Sequence, residues 1–146
     1  FVYAMENDQN IWEVSNTQTP YSRFLVRQYL ENAQQDIYEA KQLRLAIVCN
    51  ETNLQIGLID LFDFDPKNER VGMGIVISAV ENRKLGFGNE AVSLLVNYVF
   101  EYLNVHQIYV NISKSCNGIN ARLCFIDNNR CYFNTSFKKI TFWSKC

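Results

Sequence analysis

Arg83-Lys84-Leu85-Gly86-Phe87-Gly88-Asn89-Glu90-Ala91 is the stretch that decides how the chain is read. It joins an apolar, strand-like run, Val71 to Ile77, to a long segment in which Ala91, Leu94, Leu95, Tyr98 and Tyr102 recur at helical spacing on one predicted face, ending near Asn104. Two glycines two positions apart at a strand-to-helix turn, with positive charge just upstream, form an anion site. The first N–H groups of a helix have no partner inside it and point outward with the positive end of the helix dipole. A phosphate placed there receives several hydrogen bonds at once, and glycine lets it come close. A tight turn with no ligand is the competing reading of the glycine pair, and the surrounding elements have to decide between them.

Upstream, Leu43 to Cys49 and Ile56 to Phe64 read as strands separated by Asn50-Glu51-Thr52-Asn53, and Asp65-Pro66-Lys67-Asn68 is a second turn before Val71 to Ile77. Together they predict an antiparallel meander of three strands. Before it, Thr19 as N-cap and Pro20 at the first helical position predict a helix from about residue 20 to 35, with Tyr21, Phe24, Leu25 and Tyr29 at helical spacing. Downstream come a strand from Ile108 to Ile112, a helix from Asn117 to about Ile126, and a final strand region from Tyr132 to Trp143. The order α-βββ-α-β-α-β predicts an α/β (α+β) domain with a mixed, mostly antiparallel sheet flanked by helices. Gly86 to Ala91 also fits the GxGxxA dinucleotide fingerprint, but that motif needs a parallel βαβ unit and an acidic residue about twenty positions on. Here a meander precedes the turn, and Ile108-Tyr109-Val110-Asn111-Ile112 has no Asp or Glu.

Composition sets the outer limits. The 146 residues, 48% of them hydrophobic, suffice for one core and predict a single domain over residues 1–146. Fourteen Lys and Arg against fifteen Asp and Glu give a net charge of −1, which leaves no basic surplus for a nucleic acid. No apolar run is long enough to span a bilayer and the first residues carry no secretion signal, so the reading predicts no membrane partner and a cytoplasmic protein. Five scattered cysteines without a CxxC pair, and His106 as the one histidine, predict free thiols and no metal.

The Arg83-x-x-Gly86-x-Gly88 spacing, placed after a third antiparallel strand and opening a long helix, resembles the (Q/R)xxGx(G/A) signature of the GNAT superfamily of acyl-coenzyme-A-dependent N-acyltransferases. Glu6-Asn7-Asp8, Pro20-Tyr21, Ile56-Gly57-Leu58-Ile59-Asp60, Arg70 and Leu103 to Tyr109 look like the branch of spermidine and ribosomal-protein N-terminal acetyltransferases. The resemblance covers about residues 3 to 125. It implies that Arg83, Lys84, Leu85, Gly86, Phe87, Gly88 and Asn89 hold the pyrophosphate of acetyl-CoA, and that the strand ending in Ile75, Val76 and Ile77 lies along its pantetheine. It implies direct attack by a primary amine, a polyamine being favoured over a protein N-terminus, with an acid/base pair nearby. Gly72 and Gly74 suit a bulge in that strand.

Some positions depart from the family pattern. Asn117 matches a coenzyme A contact, yet Cys124 stands where the family's general acid, a tyrosine, follows a leucine, here Leu123. A thiol can donate a proton to a thiolate, while a single cysteine can equally be a small buried hydrophobe. Asp60 and Asp63, on an apolar strand, are the candidate bases; Asp65, before Pro66, has a turn role, and His106 a structural one. Glu31, Asp36 and Glu39 add negative charge for a polyamine, or simply solvate a surface. The first and last family strands are missing or divergent, and an uncovered sheet edge invites a homodimer. A catalytically inactive acyl-CoA-binding or interaction domain is the alternative to the enzyme.

Overall fold

Leu45, Ala46, Ile47, Val48 and Cys49 are consecutive, and all are buried. A strand apolar on both sides must be covered on both. The computed structural model, which describes residues 1–15, 17–110 and 140–143, provides that cover. Strands β1 (Leu43–Cys49), β2 (Gln55–Asp65) and β3 (Arg70–Ile77) form the expected antiparallel meander. Strand β4 (Gln107–Tyr109) runs parallel to β3, and β5 (Ile140–Trp143) runs antiparallel to β1, giving the order β4-β3-β2-β1-β5 among the described residues. The class is the mixed α/β one read from the sequence.

Helices α1 (Val2–Glu6), α2 (Gln9–Ser15), α3 (Arg23–Asn32) and α4 (Ile37–Ala40) precede the sheet, and α5 (Phe87–Tyr102) follows β3. On one face Ala91, Leu95, Val96 and Val99 of α5 pack with Ile47, Ile59, Leu61 and Met73. On the other, Val2, Met5, Ile11 and Val26 pack with Ala46 and Leu58. Each buried large side chain is worth about 1.5–3 kcal/mol relative to exposure, so these two layers hold the sheet rigid beneath whatever its edge binds.

Three expectations need correction. The helix predicted from 20 to 35 begins at Arg23, with Ser22 as its N-cap accepting from Leu25 N at 3.2 Å. Tyr21 cannot join it, because its N–H donates to Asn7 Oδ1 at 2.9 Å while its carbonyl accepts from Asn7 Nδ2 at 3.2 Å. The buried stripe of α5 is Ala91, Val92, Leu95, Val96 and Val99; Leu94, Tyr98 and Tyr102 lie on its outer flank, where the two tyrosine rings stack 5.7 Å apart. Both stripes have helical spacing, and the β-branched one fits the pleated sheet.

Gly72 and Gly74 make no bulge. They pair in continuous register with Phe62 and Asp60, and a Cβ on Gly72 would fall 2.3 Å from the Phe62 ring. The irregularity lies across from them, between Phe62 and Asp65, where Asp63 takes a φ of 50°. The β4 expectation holds over Gln107–Tyr109, and β5 is the end of the predicted final strand region. The helix from Asn117 to Ile126 lies outside the described residues.

Candidate active site

Between β3 and α5 the chain makes a single turn of 3-10 helix at Val80–Asn82, then passes through Lys84 at φ 63° and Gly86 at φ 95°. Gly86 is the N-cap of α5, and no side chain caps the helix there. A Cβ on Gly86 would meet nothing within 4 Å, so the left-handed backbone, not crowding, requires glycine. The first intrahelical bond runs from Glu90 N to Gly86 O at 3.1 Å, which leaves the N–H groups of Phe87, Gly88 and Asn89 ahead of the ladder. A Cβ on Gly88 would touch only Ile75 Cδ1, at 3.9 Å. The protein itself leaves room over Gly88, as a backbone that receives a phosphate must.

Arg83 folds back onto the strand end. Its Nε and Nη2 donate to Ile77 O at 3.3 and 3.2 Å, and Nη2 reaches Ser78 O at 3.4 Å. Arg83 thus fastens the loop to β3 while its exposed guanidinium keeps positive charge at the turn. Lys84, Leu85 and Asn89 are exposed, and Phe87 is half-buried against the core. Glu90, 2% exposed, was not singled out from the sequence; as the acidic residue of the first turn it meets the positive end of the helix dipole.

Strand β3 pairs with β4 only over Arg70, Val71 and Gly72. Among the described residues no strand lies beside Met73 to Ile77 on that side. Ile75, Val76 and Ile77 therefore line an open edge leading to the α5 N-terminus, and a Cβ added at Gly88 would lie 3.9 Å from Ile75 Cδ1. Such an edge presents unpaired backbone groups that an extended ligand can use in place of a strand.

Asp60 stands on β2 opposite Gly74, on the sheet face covered by α1 and α3. Its Oδ2 is 3.6 Å from Nη2 of Arg44 on β1, and Arg44 Nη1 pairs with Glu6 Oε1 of α1. The Arg44 guanidinium also lies 5.5 Å from the centre of the Tyr29 ring. Burial pushes the Asp60 carboxyl above the ordinary carboxylate range; Arg44 pulls it back, and Glu6 pushes it up. A cavity of about 230 Å³, lined in part by Val2, Tyr29, Leu43 and Arg44, opens beside this cluster. From the sequence Arg44 was not singled out, Glu6 only as a mark of the resemblance and Tyr29 only as a residue at helical spacing. The available signal was a charged residue inside an otherwise apolar strand.

Asp63 is elsewhere. It is exposed at the β2 irregularity, where Tyr109 OH donates to its Oδ2 at 3.2 Å, and both border an open cavity of about 610 Å³ with Lys41, Phe64 and Arg70. Burial and then the Asp63 hydrogen bond raise the Tyr109 phenol. The two candidate carboxylates thus belong to separate clusters. Asp65 makes the turn contacts expected of it, accepting from Asn68 N at 3.1 Å and Asn68 Nδ2 at 2.7 Å. Asp36 caps α4 by accepting from Tyr38 N at 2.8 Å, while Glu31 and Glu39 are simply exposed. His106 pairs with Glu69. Asn117 and Cys124 lie outside the described residues. Among the described residues no helix is long and apolar enough to cross a membrane, and no group of three or more metal-ligating side chains occurs.

A meander, a glycine turn into an uncapped helix and an open strand edge beside it are the frame on which the comparisons with known proteins bear. Residues 1–117 match the family described as acetyltransferase (GNAT) domain, and the chain belongs to that family. It is 26% identical over 113 residues to the spermidine N(1)-acetyltransferase of Vibrio cholerae, aligning 77% of this chain with 62% of that protein. The chain thus spans about three fifths of the curated relative it matches. Among solved structures, the spermidine N-acetyltransferase of Vibrio cholerae in complex with CoA and spermine superposes with a TM-score of 0.64 at 24% identity, over 77% of this chain and 64% of that one. A point mutant of spermidine N-acetyltransferase from the same organism gives 0.58 at 25% identity, over 75% and 61%.

Proposed function

We propose that the protein transfers an acetyl group from acetyl-CoA to a primary amine, with a polyamine as the favoured acceptor and a protein N-terminus second. The observation that carries this reading is the uncapped α5 N-terminus at Gly86, with Ile75 of the open β3 edge the side chain nearest the Gly88 Cβ position. Phe87, Gly88 and Asn89 N–H groups, with the Arg83 and Lys84 charges, suit a pyrophosphate. Ile75, Val76 and Ile77 suit an extended pantetheine that hydrogen-bonds as a strand would. The names of the Vibrio cholerae relatives support an amine acceptor of the polyamine kind.

Acetyl-CoA supplies an activated thioester carbonyl. An alkylammonium must lose a proton before its nitrogen can attack that carbon. Asp60 is the acceptor for this proton: one oxygen, Oδ1, faces the space left by the missing side chain of Gly74, where a Cβ would be 3.3 Å away. As the C–N bond forms, the C–S bond breaks and the electron pair leaves on sulfur, which takes up the second proton that the nitrogen sheds on becoming an amide. Calorimetry with coenzyme A, followed by release of free thiol from acetyl-CoA with a panel of amines, tests the reading. Binding plus turnover supports it. Binding without turnover of any amine leaves an acyl-CoA-binding domain, and absence of binding rejects the site.

A further inference from the structure

The Asp60 carboxylate is held asymmetrically. Its Oδ2 is turned to Arg44 Nη2, 3.6 Å away, while Oδ1 is the atom nearest the Gly74 gap on the neighbouring strand. Arg44 is itself fixed from two other sides, by Glu6 of α1 and by the Tyr29 ring of α3. Side-chain exposure is 23% for Arg44 and 20% for Asp60, so the pair is partly sheltered from water. Burial penalises the charged form of this carboxylate, and Arg44 offsets part of that penalty.

We propose that Arg44 is a positioning residue for the acceptor side: by engaging Oδ2 of Asp60 it leaves Oδ1 facing the Gly74 gap, and Glu6 sets how fully it does so. The proposal rests on Asp60 being the proton acceptor of the proposed acetyl transfer. Arg44 touches neither substrate nor the reacting atoms. At 3.6 Å its contact with Asp60 is longer than a hydrogen bond, whereas its contact with Glu6 is close, so the guanidinium is shared unequally between two carboxylates. Among the described residues the charged groups acting on Asp60 are Arg44 from β1 and Glu6 from α1, while Tyr29 from α3 acts on Arg44 and β3 places a glycine opposite.

The arrangement gives two variants of opposite sign. Asp60 must be ionised to take a proton, so the acidic limb of kcat/KM against pH reports its titration. Arg44→Gln removes the stabilising cation and moves that limb up by about one pH unit, while Arg44→Lys restores most of it. Glu6→Gln removes the competing carboxylate, gives Arg44 wholly to Asp60, and moves the limb down. The measurements are pH profiles of thiol release for the full chain with one reactive amine, and coenzyme A dissociation constants by calorimetry to show that each variant keeps its cofactor site. Limbs displaced in opposite directions, at unchanged coenzyme A affinity, bear the proposal out. Equal loss of rate at every pH in Arg44→Gln, or a Glu6→Gln limb that stays in place, overturns it. A wild-type protein that binds coenzyme A but turns over no amine fails at the underlying reading instead.

Discussion

Gly86 and Gly88 sit two residues apart and are glycines for different reasons, which substitution separates. Gly86 has a φ of 95°, a backbone that costs an L-residue about 1–2 kcal/mol, so Gly86→Val should lower the melting temperature as well as coenzyme A affinity. Gly88 lies inside the helix with open space at its Cβ position, and Gly88→Ala should gain about 0.5–1 kcal/mol of stability from helix propensity. If a phosphate approaches that backbone, the same variant binds coenzyme A more weakly; calorimetry and thermal melts together read the two effects. Asp60 makes a parallel case. Its folded carboxyl titrates above the unfolded value, near 3.9, so the native state binds more protons between the two and stability falls as pH rises through that window. Asp60→Asn should therefore melt higher than wild type at pH 7, lose that advantage below pH 4, and release no thiol with any amine. A melting temperature below wild type at pH 7 would mean that the carboxylate stabilises the cluster after all.

At the scale of elements, α5 shows how far periodicity reaches. Ala91 and Leu95 belong to either stripe, and choosing between Leu94-Tyr98-Tyr102 and Val92-Val96-Val99 requires knowing which face meets a sheet of Val, Ile and Leu. Val99→Ala, at a fully buried position, should cost about 0.5–1.5 kcal/mol or more, while Tyr102→Ala, 69% exposed, should stay within about 0.5 kcal/mol by denaturant unfolding. The start of α3 was misplaced for a related reason. Thr19-Pro20 is a good helix opening in isolation, but Asn7, fourteen residues away, binds both backbone groups of Tyr21 and delays the helix to the Ser22 cap. Ser22→Ala should cost about 1 kcal/mol. The meander and the glycine turn were legible because turns and strand runs are local signals. The Glu6–Arg44–Asp60 cluster was not, because its members lie on three elements and meet only through the β1–β2 register.

Across the whole molecule, the two helical layers pack on β2 and β3, the strands that carry the proposed acceptor and acyl-donor residues. The outer edge of β1 is taken by β5, the end of the final strand region read from the sequence, with Cys49 opposite Ile140 and Ala46 opposite Trp143. Ending the chain at residue 139 should uncover that edge; concentration-dependent self-association in sedimentation velocity is the expected result. Coenzyme A binding should persist in that variant, because β3 and the α5 turn lie on the far side of β2.

The β1–β5 pairing also fixes an order of events during synthesis. A ribosome adds about 5–20 residues each second, so β1 emerges and pairs with β2 several seconds before its second partner, about 90 residues later, exists. Throughout that interval the nascent sheet carries a bare hydrogen-bonding rim, and on crowded polysomes the neighbouring copy is the first strand within reach.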